Sequence, residues 1–189
     1  MLNPFRYKHT PDKPAPEPIF VAPPHPATID EEALASQCEV TKDRGSGPGG
    51  QHRNKVESRI SIIHTPTGVE AMAGERRSAV DNRRVAMFRL RLALAVRVRT
   101  SMPAGDVRSE LWKSRCVQGK IACNPRHRDY PSLLAEALDI VWACGLDVPA
   151  AALRLCCSTS QLLKLIKDHP PAFLMLNQAR EAAGLHKLH

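Results

Sequence analysis

The chain has 189 residues, of which 43% are hydrophobic, 4% aromatic and 24% charged, with 27 lysines and arginines against 19 aspartates and glutamates and a formal charge of +8. The apolar share suffices for a packed core and excludes a chain disordered throughout, while so few aromatics argue against a base-stacking platform. No window reaches the roughly 18 uncharged apolar residues of a membrane span, and no apolar leader opens the sequence, so a cytoplasmic protein with no membrane partner is expected.

Charge is unevenly spread. Residues 1–40 are net −3, residues 41–100 carry 13 basic and 5 acidic side chains for a net +8, and residues 101–189 are net +3. Eleven of the 13 cations in the middle segment are arginine. Such a region suits a phosphate backbone, through Coulomb attraction and counterion release. A merely solvated basic surface is the plainer alternative.

In chain order, residues 1–29 read as a proline-rich mobile arm, because residues 1–27 hold eight of the 16 prolines. A short helix follows from Asp30 to Gln37, with Glu31 and Glu32 at its positive end. Residues 38–44 read as a strand entering a glycine loop. After the loop, 56–64 alternates, with Val56, Ser58, Ile60 and Ile62 on one face. Residues 65–68 (TPTG) make a turn, and 69–73 returns as the hairpin partner.

A long helix is predicted from Ser78 to Arg99. Val85, Phe88, Leu92 and Val96 recur at helical spacing, and Arg83, Arg84 and Arg91 point away from that stripe. Residues 106–189 read as helical, with segments near 131–145, 147–157, 161–169 and 171–183. The expected fold class is therefore α+β: a small domain over 30–100 with a β-sheet packed on one long helix, then an all-helical C-terminal domain over 106–189.

Several patterns invite a function and fail on context. Gly45, Gly47 and Gly50 fit GxGxxG, with Glu70 twenty residues on, but the glycines follow a charged segment and lead into QHRNK rather than a helix start. Cys116, Cys123 and His127 lack a fourth ligand and a close pair, so no metal site is expected. The six cysteines read as reduced core thiols. His52 is set among cations that disfavour its protonation, so RNA contact suits it better than general-base work. His64 ends a strand and is given a structural role. Residues 147–169 have a helix–turn–helix rhythm that could aim Gln161, Lys164 and Lys167 at nucleic acid, although helices packing one core give the same pattern.

The stretch SGPGGQ, residues 46–51, holds the chemistry despite having nothing to titrate. Gly45, Gly47, Gly49 and Gly50 let the backbone turn freely and approach another molecule closely. Stripping side chains before Gln51 exposes main-chain N–H groups, which can bind an oxyanion developing during acyl transfer. Arg44, Arg53 and Lys55 flank it.

With RGSGPGGQHRNKVESRISIIHTPTG (44–68) and ERRSAVDNRR (75–84), the sequence resembles the GGQ domain of class-I peptide chain release factors. It is especially similar to the short relatives that rescue stalled ribosomes. The resemblance covers about residues 30–100. It rests on Arg44, Ser46, Gly47 and Pro48 before the triplet, Asn54 to Glu57 after it, His64 with Pro66 to Gly68, and Arg77-Ser78 with Asn82-Arg83.

The resemblance implies codon-independent hydrolysis of the ester between nascent peptide and tRNA, with Gly49, Gly50 and Gln51 as the catalytic residues. It implies rRNA or tRNA contacts from Arg44, Ser46, Gly47, Pro48, His52, Arg53, Asn54, Lys55, Arg77 and Arg83. The partners are then the ribosome, at the peptidyl-transferase centre, and peptidyl-tRNA, with a glutamine methyltransferase acting on Gln51 as a further one. No cofactor is needed, since water and a preorganised donor suffice. The sequence departs from the family at Ala79, where glutamine is usual, and at Arg53. It also has no stretch assignable to codon reading and no basic C-terminal tail. The competing reading is a non-catalytic RNA-binding adaptor that keeps the loop.

Overall fold

The computed structural model describes residues 17–43, 58–103 and 105–189. Along the chain these form β1 (Ile19–Val21), α1 (Glu31–Ser36), β2 (Cys38–Asp43), β3 (Arg59–His64), β4 (Val69–Ala73), α2 (Ala79–Arg97) and β5 (Val98–Thr100). Then come α3 (Glu110–Arg115), β6 (Cys116–Val117), β7 (Lys120–Ile121), α4 (Tyr130–Ala143), α5 (Val148–Arg154), α6 (Thr159–Lys167) and α7 (Pro170–Ala182). The mixed helix and sheet, with helices dominating the C-terminal part, is the α+β class expected.

β2, β3 and β4 make an antiparallel sheet with β3 central. Alternation along β3 buries Ile60 and Ile62, which point at α2. The β3–β4 turn closes with the Gly68 and Thr67 N–H groups on the His64 carbonyl, at 2.8 and 3.2 Å. His64 has the structural role expected of it. Its Nδ1 meets Thr67 Oγ1 at 2.7 Å and its Nε2 meets Gln37 Oε1 at 3.0 Å, tying this turn to the end of α1. Burial lowers its pKa and keeps the ring neutral.

Ser78 starts α2 by accepting from the Asp81 N–H. α2 packs against β3 and β4 on one side and α4 on the other. That two-sided burial corrects the single-stripe reading. Leu92 and Val96 are buried, but Val85 and Phe88 are only half-buried, while Ala86, Met87, Leu90, Leu94 and Ala95 fill the core. Arg91 does not point away: it donates to the Ala27 carbonyl at 2.9 Å and to Ser132 Oγ at 3.0 Å.

α2 also ends earlier than predicted, at Arg97, because Val98–Thr100 pairs in parallel with Ile19–Val21. The arm expected over 1–29 is thus partly built into the fold. His25 and Ala27 are buried there. His25 Nδ1 accepts from the Ala27 N–H at 3.0 Å, so Nε2 carries the proton that reaches the Val98 carbonyl at 3.1 Å. Both ring nitrogens are committed in the neutral form, and burial lowers the pKa to about 4.

α4 is the hub of the second half, with every residue from Tyr130 to Val141 buried. Its buried set and that of α2 belong to one continuous core. The helical half also contains a β6–β7 hairpin that the reading of 106–189 as helical left out. Its two-residue tip, Gln118 and Gly119, has φ of 50° and 75°, the left-handed pair that a tight hairpin requires. The six cysteines are free but none is fully buried, and Cys156 is exposed, so they are not core thiols in the strict sense.

Where α2 ends, Arg99 is fully buried and folds back on the helix. Its guanidinium donates to the carbonyls of Ala95 (2.8 Å), Val96 (2.7 Å) and Val98, and lies 4.4 Å from the centroid of the Trp142 ring. It thereby caps carbonyls that the helix leaves without partners and places a cation at the negative end of its dipole. Asp139 lies 3.8 Å away and accepts from the Thr100 hydroxyl. Burial pushes the Asp139 carboxyl up to about 6, against the opposing pull of Thr100 and Arg99, and burial lowers Arg99 to about 10.

Candidate functional site: the base of the glycine loop

Arg44, Ser46, Gly47, Pro48, Gly49, Gly50, Gln51, His52, Arg53, Asn54 and Lys55 lie outside the described residues. The structure does define the frame that carries them. Asp43 and Arg59 are paired across the β2–β3 ladder, so the segment between them leaves and re-enters the sheet at adjacent positions.

The frame is fixed by a buried asparagine. Asn82 is 0% exposed, on the first turn of α2. Its Nδ2 donates to the carbonyls of Ser58 and Arg76 (2.9 Å to the latter), and its Oδ1 accepts from the Arg76 N–H at 2.9 Å. One side chain thus ties the re-entry point, the 74–78 bend and the helix together. An isosteric aspartate could not donate, and an alanine would leave three main-chain groups unpaired. Asn82 stood out in sequence only as part of a motif. Its chemical task appears once the three segments converge.

The bend itself is held from the other side. Arg89 donates to the Met72 carbonyl at 2.8 Å and to both carboxylate oxygens of Glu75, at 2.5 and 3.2 Å. Burial alone would raise the Glu75 carboxyl, but hydrogen bonds from the Gly74 and Glu75 N–H groups and from Arg89 outweigh it and lower its pKa. A Cβ at Gly74 would sit 3.2 Å from the Arg59 side chain, so glycine lets the bend lie against the start of β3.

What this frame displays is positive. Arg76, Arg77, Arg83 and Arg84 are exposed. Among the described residues the side chains of Arg76, Arg77 and Arg83 have no acidic partner, and Arg84 has only a 3.8 Å approach to Asp81. Arg77 and Arg83, expected from the resemblance to contact RNA, are exposed near the loop base, as are Arg76 and Arg84. Guanidinium groups free of carboxylates are available to phosphate oxygens.

The competing patterns resolve toward packing. Gln161 Oε1 accepts from the Ile121 N–H at 3.2 Å, Lys164 pairs with Asp168 at 2.7 Å, and Lys167 donates to the His189 carbonyl at 2.5 Å. The three side chains that a helix–turn–helix would aim at nucleic acid are thus engaged within the chain. No group of three or more His, Cys, Asp or Glu that could hold a metal occurs among the described residues.

The chain thus leaves and re-enters the described fold at one end of the β2–β3 ladder, beside four exposed arginines. The RF-1 domain family matches residues 28–130, more than half of the chain. The chain therefore belongs to that family, the class-I peptide chain release factors. It is 39% identical over 82 residues to peptide chain release factor 1 of Acidiphilium cryptum, covering 43% of this chain and 23% of that protein. It is 42% identical over 67 residues to peptide chain release factor 2 of Paramagnetospirillum magneticum, covering 35% and 18%. With peptide chain release factor 1 of Streptomyces avermitilis it shares 36% over 87 residues, covering 45% and 24%. The chain spans about a fifth of the length of these relatives.

Proposed function

We propose that this protein hydrolyses peptidyl-tRNA on the ribosome without reading a codon, freeing nascent chains from stalled ribosomes or large subunits. The observation that carries the reading is Gly49-Gly50-Gln51 within a family-matched domain whose described surface gathers unpaired arginines at the loop base. In this mechanism water attacks the ester carbonyl, the bond to the tRNA ribose oxygen breaks, and that oxygen takes up the proton. The Gln51 main-chain N–H stabilises the charge developing on oxygen, and its side chain orients the water. Gly49 and Gly50 allow the backbone geometry. Arg44, Ser46, Gly47, Pro48, His52, Arg53, Asn54, Lys55, Arg77 and Arg83 hold RNA. A glutamine methyltransferase acting on Gln51 is the further partner, and the cytoplasm is the setting. No helix among the described residues is long and apolar enough to cross a membrane.

Residues 131–189 are given to helices that cover the far side of α2. We assign 30–100 as the hydrolase domain and 106–189 as a helical unit that shares its core. The test is peptide release from stalled complexes carrying different codons in the vacant site. Gln51→Pro, which removes the main-chain N–H, is expected to slow release by about 10²–10³-fold, the usual effect of losing an oxyanion donor. Equal rates for variant and wild type would sink the mechanism. Tight ribosome binding with no release by methylated wild type would favour the adaptor reading.

A further inference from the structure

The helical half has its own uncommitted charge. Eleven cations lie between residues 106 and 189. Five are held by carboxylates at 2.6–3.0 Å. Three more donate to main-chain carbonyls. The remaining three are Lys120, Arg126 and Arg128, and they fall within nine residues of one another. Lys120 and Arg126 are exposed and have no partner among the described residues. The Arg128 side chain is 89% exposed, and its one ionic contact among the described residues is 3.6 Å to an oxygen of Asp129. The other oxygen of Asp129 is already taken by Arg115 at 2.6 Å.

These cations stand on a fixed support. The hairpin tip beside Lys120 is pinned where the Gly119 carbonyl accepts from the Ser158 N–H at 3.2 Å, and Ile121 is held by Gln161. The turn bearing Arg126 and Arg128 is closed by the Arg126 N–H on Asn124 Oδ1 (2.8 Å), the His127 N–H on the Asn124 carbonyl (2.8 Å) and the Tyr130 N–H on the His127 carbonyl (3.0 Å). It leads directly into α4, whose Ser132 bonds Arg91 of α2. Side chains carried on supports held this way cost little backbone freedom when they bind a polyanion.

We propose that Lys120, Arg126 and Arg128 form a second phosphate-binding patch, which grips the sugar–phosphate backbone of large-subunit rRNA while the loop works elsewhere. This rests on the ribosomal reading above. The three members are cations with no Phe, Tyr or Trp exposed in their turn, and the one partly exposed aromatic ring there, His127, lies 3.4 Å from Asp129, so the patch is suited to backbone contact. It gives the helical half a part in affinity that an exposed basic tail would otherwise supply.

The test uses the full chain and purified large ribosomal subunits, with dissociation constants measured between about 50 and 300 mM salt, a range over which phosphate contacts dominate. The triple variant Lys120→Ala, Arg126→Ala, Arg128→Ala is expected to bind about tenfold or more weakly, with a slope of log affinity against log salt shallower by about 2 to 3. The control Lys113→Ala, Lys167→Ala, Lys187→Ala removes the same charge from engaged positions and is expected to leave both nearly unchanged. Equal losses in the two triples would reduce the effect to net charge and overturn the patch, as would no loss in the first. Wild type that binds subunits yet releases no peptide would count against the hydrolase alone, because patch and control are compared by binding.

Discussion

The two ends of α2 use arginine in opposite ways. At the N-terminal end Arg76, Arg77, Arg83 and Arg84 face solvent beside the loop base, and the first three have no acidic partner among the described residues. At the C-terminal end Arg99 is wholly enclosed, bonded to three carbonyls and set over Trp142. The first group is kept wet and available, whereas the last is consumed in holding the helix and the second half together. Sequence spacing treats these residues alike. Their environment separates binding from support, since an exposed guanidinium adds little to stability and a buried one cannot be removed without stranding its partners.

Substitutions should expose this contrast in graded steps. The largest effect on the fold is expected from Arg99→Met, which leaves Asp139 without its cation and the α2 carbonyls unpaired and should cost about 3 kcal/mol in urea denaturation. Adding Asp139→Asn should recover part of that loss, because the stranded carboxyl goes with it. A loss below about 0.5 kcal/mol in the single variant, the usual scale of a surface substitution, would erase the contrast.

Asn82→Ala comes next, at about 2 kcal/mol, for the polar groups it leaves unpaired. Its signature is a fall in the rate of peptide release at saturating ribosomes, larger than any fall in ribosome affinity, since it frees the loop base while removing no cation.

Acid should act more gently, on the order of 1 kcal/mol per pH unit. His25 and His169, each lowered by burial to about 4 from an ordinary 6.5, contribute stability that is full above pH 6.5 and lost as pH falls toward 4. Asp139, raised to about 6 from 3.8, contributes in the opposite sense: its share is full below 3.8 and lost as pH rises through 6. Thermal melts from pH 7.5 to 4.5 should therefore show His25→Gln flattening the acid limb and Asp139→Asn steepening it.

Smallest for the fold is Arg76→Ala, Arg77→Ala, Arg83→Ala, expected to move stability by no more than about 0.5 kcal/mol while weakening binding to large subunits. A marked drop in melting temperature would show that these residues support the structure after all.

Much of the sheet half was legible because its signals are local. Period-2 alternation gave β3, the TPTG turn gave the β3–β4 hairpin, and Ser78 announced the start of α2. Gly49, Gly50 and Gln51, the residues proposed to act on the ester, stood out through glycine spacing among arginines and through the resemblance, and they lie outside the described residues. What escaped needed distant partners. The β1–β5 pair joins residues about eighty positions apart through three-residue strands, too short to carry a pattern. The β6–β7 hairpin has two residues per strand. Arg91 was read as outward because α2 is covered on two sides, which blurs the single apolar stripe a surface helix would show. Asn82 escaped as a side chain with a task because Ser58 and Arg76 meet it only in three dimensions.

A rod shared by both halves also sets their angular phase. Each residue of α2 turns the helix by about 100° and advances it about 1.5 Å. Inserting one residue between Leu90 and Leu94 would swing α4 and the cations ahead of it a quarter-turn or more around the sheet. The length of this helix should therefore be far less negotiable than its sequence, and relatives that keep both contact regions should differ between them by whole turns or not at all.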